Sequence, residues 1–374
     1  MIVPMSDTQA KNCPVDFLGL GSDQFDTLVV EWGMPRFRAK QVRNWVYDKL
    51  VLDFDRMSNL SKLDREKLRE RIDLGQSQTR ADLTSQDGTQ KLLLEWPGGA
   101  QAETVMIPDG DRRTACVSSQ VGCPVGCRFC ASGLEGVKGN LTAAQIVEQV
   151  MQLNRRLSAK SKNPSGKPER INHIVFMGMG EPLANYANVM QAVRVLHDPG
   201  CLNISARKIT ISTVGVPVRM KQLAEEDLPL NLAISLHAPN EALRRELIPW
   251  AEHFSMDEIL DAARYYFQKT GREITFEYIL LSGVNDRPEH ARQLAQVCRT
   301  VRANVNLLRY NEVESLPYER PKNDAVIRFQ ETLRRAGINA HVRKSRGRDI
   351  SAACGQLRRR ENQKLIQLNA PASI

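Results

Sequence analysis

Three cysteines, Cys123, Cys127 and Cys130, sit in one short loop of the stretch "CVSSQVGCPVGCRFCASGLEG", with Cys116 just upstream. A structural zinc site takes four ligands, often as two pairs. This loop offers three; His173 and Cys116 are candidates for a fourth, neither at a usual spacing. Three thiolates instead suit a [4Fe–4S] cluster with one iron left free to hold a small molecule through amine and carboxylate groups. Phe129, just before the last thiol, can pack over the cluster or an adenine. Gly122, Gly126 and Gly133 let the backbone wrap tightly.

Other chemistry-bearing residues recur at the exits of apolar runs. "MGMGEP" places Gly178, Gly180 and the Glu181 carboxylate at one exit. Ser212 ends "ISTVG", Ser235 and His237 lie in "SLHAPN", and Asn311 lies in "RYNEV". Each alone is an ordinary turn residue. Together, above one cluster, they suit a ribose, an adenine and a carboxylate. Cys354 stands in "GRDISAACGQL", within a basic stretch, whereas Cys13, Cys201 and Cys298 read as small buried thiols.

The elements that must position these groups follow from periodicity. Six strands are expected: 114–119, 173–179, 208–214, 232–237, 273–280 and 305–310, with amphipathic helical patterns between them. Six βα units in series predict a parallel sheet curled into a partial, TIM-like (βα)6 barrel, the fold class being α/β. Chemistry in such barrels lies at the C-terminal strand ends. Residues 1–75 read as a small N-terminal helical accessory domain, with "RAKQVRNWVYDKL" and "SKLDREKLRERI" as helices and Ser61 as an N-cap. Residues 76–112 read as a short β-rich connector broken at Pro97 and Pro108, 113–350 as the barrel, and 351–374 as a C-terminal segment. Residues 161–170 read as a polar surface insertion.

The chain has 374 residues, 42% hydrophobic, and a net charge of +9. It lacks a long apolar run and a signal-like start, so a cytoplasmic protein without membrane contact is expected. In that reducing setting clustered thiols serve metals or catalysis. Residues 334–364 carry ten Lys or Arg against Asp349 and Glu361. The bland reading is a solvated face; the sharper one is a phosphate footprint.

The spacing Cys-x3-Cys-x2-Cys at the first strand of a (βα)6 pattern resembles the radical S-adenosylmethionine superfamily. The segments "ACVSSQVGCPVGCRFCASG", "FMGMGEPL", "ISTVGV", "ISLHAPN", "YNEV" and "RGRDISAACGQL", in this order, resemble the ribosomal RNA adenine-C2 methyltransferase family. The commoner Gly-Gly-Glu-Pro turn has Met179 in place of one glycine here.

That resemblance implies methylation of C2 of an adenosine in 23S ribosomal RNA near the peptidyl-transferase centre, and of adenosine 37 in transfer RNAs. It implies a [4Fe–4S] cluster on Cys123, Cys127 and Cys130, and two S-adenosylmethionine molecules per turnover. Gly180, Glu181, Ser212, Ser235, Leu236, His237 and Asn311 would bind that cofactor. Cys354 would accept the first methyl group, and a radical made from the second cofactor would activate it for addition to C2. Glu103 would remove the C2 proton. Cys116 would then attack the Cys354 sulfur, leaving a disulfide for a reductant, while a separate electron donor feeds the cluster. The enzyme is expected as a monomer. Arg343, Lys344, Arg346, Arg348 and Arg358 to Arg360 are candidate phosphate contacts, with Arg36, Arg38, Lys40, Arg43 and Lys49 as a second surface. Rival readings are C8 methylation by the sister resistance family, a radical activase acting on a protein, and a non-catalytic zinc RNA-binding factor.

Overall fold

Alternating β-branched runs and amphipathic helices build one ten-stranded sheet whose spatial order follows the chain. The structure, a computed structural model, describes residues 14–160 and 169–357. Cys13, Arg358 to Arg360 and most of the 161–170 insertion lie outside the described residues. The strands are β1 (Gln78–Thr84), β2 (Gln90–Glu95), β3 (Gln101–Asp109), β4 (Arg112–Cys116), β5 (His173–Phe176), β6 (Ile209–Thr213), β7 (Asn231–Ser235), β8 (Ile274–Leu280), β9 (Ala303–Arg309) and β10 (Ala340–Arg343).

Strands β1 to β4 pair antiparallel; β4 to β10 pair parallel. Residues 76–112 therefore continue the barrel sheet. The parallel part holds seven strands, one more than the periodicity suggested. The extra one, β10, is a four-residue segment whose charged residues hid its alternation.

The helices are α1 (Ser22–Glu31), α2 (Phe37–Arg43), α3 (Lys62–Arg71), α4 (Ala143–Lys160), α5 (Tyr186–His197), α6 (Pro217–Ala224), α7 (Glu241–Leu247), α8 (Met256–Thr270), α9 (Pro288–Arg299) and α10 (Asn323–Arg335). Helices α4 to α10 fill the crossovers between parallel strands, as parallel pairing requires. The Ser61 hydroxyl caps α3 by accepting from the Asp64 N–H at 3.1 Å. After α2 the backbone winds more widely: Lys49 N–H reaches the Asn44 carbonyl, five residues back, at 3.0 Å.

The N-terminal helices share one continuous apolar core with the barrel, through Phe17, Leu18 and Phe25 on one side and α4 and α5 on the other. Polar contacts lock the join. Ser22 N–H donates to Asp198 at 2.7 Å and Arg170 to the Tyr47 carbonyl at 2.6 Å. Side chains from β5 through β10 face the same interior space, which is what curls the sheet into a partial barrel. No helix among the described residues is long and apolar enough to cross a membrane.

Candidate active site

The cluster loop leaves β4 and wraps on itself because glycine permits it. Gly122 has φ +79°, and a Cβ there would lie 2.0 Å from the Gly136 carbonyl oxygen. Cys123 N–H donates to that carbonyl at 3.2 Å, and Cys130 N–H to the Cys127 carbonyl at 3.1 Å. All three thiols line one cavity at the C-terminal strand ends. They pack against Val125, Phe129, Val214, Leu247 and Ile248. In this apolar setting burial pushes the Cys123 thiol up to about 12 and raises Cys127 and Cys130 as well. A bound metal reverses that balance, because its charge deprotonates the thiols it binds. Three thiols around one cavity are a donor set that suits an iron–sulfur group.

Strand ends supply the rest of the lining: Gly180, Glu181, Ser212, Ser235 and His237. Gly180 has φ +103°, and a Cβ would meet Gln120 Cβ and Ser119 Oγ at 2.7 Å. The Glu181 carboxylate accepts from Leu183 N–H at 2.9 Å and Val214 N–H at 2.8 Å. Burial outweighs those bonds and brings its pKa up to about 7. Burial holds His237 neutral, its pKa lowered to about 3. Its Nδ1 accepts from Ile279 N–H at 3.1 Å, so the proton sits on Nε2. The His237 backbone has φ +57°, a left-handed conformation that bulky residues rarely adopt. Phe129 meets this imidazole edge-on at 5.1 Å.

Two expected ligands lie off this lining. Leu236 is wholly buried in the main apolar core, and its N–H is taken up by the Glu277 carbonyl at 3.1 Å. Asn311 borders an adjoining cavity and donates to the Cys354 carbonyl at 3.3 Å. Met179 turns away from the cofactor side and packs with Cys116, Val105 and Ile350.

Cys354 lines both cavities, the one with the cluster thiols and the adjoining one that holds Cys116. Both are free thiols. Burial and the neighbouring Cys354 push Cys116 up to about 12, while Arg343 pulls it down. Arg343 lies in the wall between the cavities, and Cys354, Glu277 and Cys116 all favour its charge. It therefore faces the barrel interior, not an outer phosphate surface. Lys344 and Arg346 border the adjoining cavity, and Arg348 is exposed. On the N-terminal unit, Arg36 and Arg43 pair with Asp26 and Arg38 with Asp64. Lys40 and Lys49 are exposed, and Lys49 sits 3.5 Å from the Trp45 ring centre.

Glu103 lies on β3, buried, in an ion pair with Lys91 at 2.8 Å. Lys91 also donates to the Ser351 carbonyl at 3.1 Å, tying the segment that carries Cys354 to the sheet. Asp87 accepts from Gly347 N–H at 3.0 Å and Asp349 from the Ser85 hydroxyl at 2.6 Å, completing this clasp. Sequence reasoning passed over Lys91, Glu277, Arg244 and the inward role of Arg343. Each is an ordinary charged residue in its local pattern. A cavity of about 560 Å³ lies in the lower barrel, and none of the cysteines lines it.

A partial barrel with three thiols at its mouth and glycine-framed polar groups beside them defines a radical S-adenosylmethionine enzyme. Residues 117–295 match the radical SAM superfamily, and residues 15–74 match the ribosomal RNA large subunit methyltransferase N-terminal domain. A Rhodopirellula baltica protein named "Probable dual-specificity RNA methyltransferase RlmN" is 46% identical over 337 residues, 90% of this chain and 89% of that protein. A Salinibacter ruber protein of the same name is 46% identical over 356 residues, 92% of this chain and 94% of its own. The crystal structure of a radical SAM methyltransferase from Sphaerobacter thermophilus superposes with a TM-score of 0.88 at 41% identity, covering 93% of this chain and 100% of that one. The chain belongs to the RlmN family of dual-specificity RNA methyltransferases, radical SAM enzymes that use a [4Fe–4S] cluster and S-adenosylmethionine.

Proposed function

We propose that this enzyme methylates C2 of an adenosine in 23S ribosomal RNA and of adenosine 37 in transfer RNA, through a methylated Cys354. One observation carries the reading: Cys354 borders both the cavity of the three thiols and the cavity of Cys116. A methyl group taken up on one side can thus be handed over on the other.

Cys123, Cys127 and Cys130 would hold the cluster. When bound, it supplies the electron that cleaves S-adenosylmethionine reductively and so makes a hydrogen-abstracting radical. Glu181, Ser212, Ser235 and His237 bind and orient the cofactor, with the His237 Nε2–H as a donor. The Cys354 sulfur first attacks the sulfonium methyl carbon. That carbon's bond to the cofactor sulfur breaks, S-adenosylhomocysteine leaves, and the thiol proton is released. C2 of adenine lies between two ring nitrogens and is electron-poor, so it accepts a carbon radical better than it attacks a sulfonium. Once the methylene carbon carried on Cys354 has bonded to C2, Glu103, held by Lys91, would take the C2 proton as the adduct gives one electron back to the iron–sulfur group. Cys116 then attacks the Cys354 sulfur: the S–S bond forms, the bond from that sulfur to the methylene carbon breaks, and that carbon takes a proton to become the methyl group of the freed product. The Cys116–Cys354 disulfide left behind is cleared by an external reductant. Lys344 and Arg346 border the Cys116 cavity and, with the exposed Arg348, would favour the phosphates of an unstacked nucleotide. The working protein is a cytoplasmic monomer fed by a separate electron donor.

The test is nucleoside mass spectrometry on both RNAs after incubation with anaerobically purified protein and S-adenosylmethionine. The expected product is 2-methyladenosine, absent with Cys354→Ala although its iron content equals wild type. 8-Methyladenosine would assign the other ring carbon, and full activity of Cys354→Ala would remove the carrier role.

A further inference from the structure

Arg244, on α7, is 1% exposed, the largest fully buried side chain among the described residues. Only one of its three guanidinium nitrogens is satisfied: Nη2 donates to the Val214 carbonyl at 2.5 Å. Nε and Nη1 are buried without a partner. No carboxylate among the described residues forms an ion pair with it. The nearest acid on its own helix, Glu241, is taken by Arg245 at 2.8 Å and by Met256 N–H at 2.8 Å. A buried cation in this state is costly unless an anion meets it.

The neighbours say which anion. Burial works against the Arg244 charge; Glu241 favours it first and Cys127 next, and the Glu241 carboxylate is already engaged by Arg245 and Met256 N–H. The helix is tied to the cluster loop, since Arg128 N–H donates to the Leu247 carbonyl at 3.0 Å. Val214, which accepts from Arg244, also lines the cavity of the three thiols. Arg244 itself does not line that cavity. Three thiolates on a doubly positive iron–sulfur core leave one net negative charge, and reduction makes it two.

We propose that Arg244 is the counter-ion of the cluster, donating N–H···S hydrogen bonds through Nε and Nη1 on the Cys127 side and raising the cluster's reduction potential. This rests on the assignment of Cys127 as a cluster ligand. A guanidinium at this place stabilises the doubly charged reduced form more than the oxidised form. Charge, hydrogen bonds to sulfur and burial are the levers that set such potentials.

The experiment is a redox titration of the full-length, cluster-loaded protein without S-adenosylmethionine, followed by electron paramagnetic resonance, for wild type, Arg244→Gln and Arg244→Lys. Iron and sulfide per chain are measured in parallel. Arg244→Gln is expected to keep its iron and to lower the reduction equilibrium constant about tenfold, ~59 mV for one electron. Arg244→Lys keeps the charge, loses the planar fork and falls between. Should Arg244→Gln fail to fold, pulsed resonance on wild type carrying isotope-labelled arginine decides. A nitrogen coupling to the cluster that Arg244→Lys loses upholds the proposal, and its absence overturns it. An unshifted midpoint in iron-loaded Arg244→Gln overturns it too, whether or not cofactor affinity has dropped. Wild type free of iron sinks the cysteine assignment and this proposal together.

Discussion

Replacing Lys91 with methionine should unbalance the sheet beneath Cys354. The ammonium and the Glu103 carboxylate lie 2.8 Å apart with side chains 7% and 6% exposed. Removing one partner from a buried pair costs ~3–5 kcal/mol, because the remaining charge is stranded. Unfolding entropy of ~2.1 cal/mol/K per residue, taken over 374 residues, gives about 0.8 kcal/mol per degree. The melting temperature of Lys91→Met should therefore fall by about 4–6 °C. Glu103→Gln keeps the shape and removes the charge, so it strands the ammonium instead. The double variant has neither charge and should be less destabilised than the two single costs added together, by at least ~1 kcal/mol. Circular dichroism melts and urea titrations of all four proteins close the cycle. Strict additivity, or a cost for Lys91→Met below ~1 kcal/mol, would refute the idea that this pair holds the segment as a buried ion pair.

Two further outcomes are expected. Burial, the largest cause, pushes the resting Cys116 thiol up to about 12 and persists once Cys354 is an uncharged thioether in the adduct, so the thiolate is a small fraction near neutrality and grows with pH. Resolution of the protein–RNA adduct should accelerate about tenfold per unit between pH 7 and 9, read on denaturing gels after quenching. Cys116→Ala should hold the adduct at every pH; a pH-independent rate, or turnover by Cys116→Ala, would contradict the resolving role. Gly180→Ala must fit a Cβ 2.7 Å from Ser119 Oγ at φ +103° and should cost at least ~2 kcal/mol and weaken cofactor binding in equilibrium dialysis. Gly139→Ala, with nothing within 4 Å, is the matched control and should be neutral.

Much of this protein is written in local chemistry. Thiol spacing and glycines describe a loop that closes on itself, because turns depend on a few consecutive residues. The βα alternation describes a curled parallel sheet, because strand and helix periods differ and right-handed crossovers leave few topologies. Ser61 announces its helix for the same reason. What only the tertiary structure decided are the encounters between distant residues. Lys91 meets Glu103 and Ser351 because β2 and β3 pair beneath the end of the barrel. Arg343 turns inward because the lumen is polar, with Thr210, Asn231, Thr275 and Asn306 lining it, so alternation of polar and apolar residues no longer separates inside from outside. Arg244 stands in "EALRREL", where helical periodicity reads a surface cation. Packing of α7 against the cluster loop buries it, and a charge in water and a buried charge look the same in a string of letters.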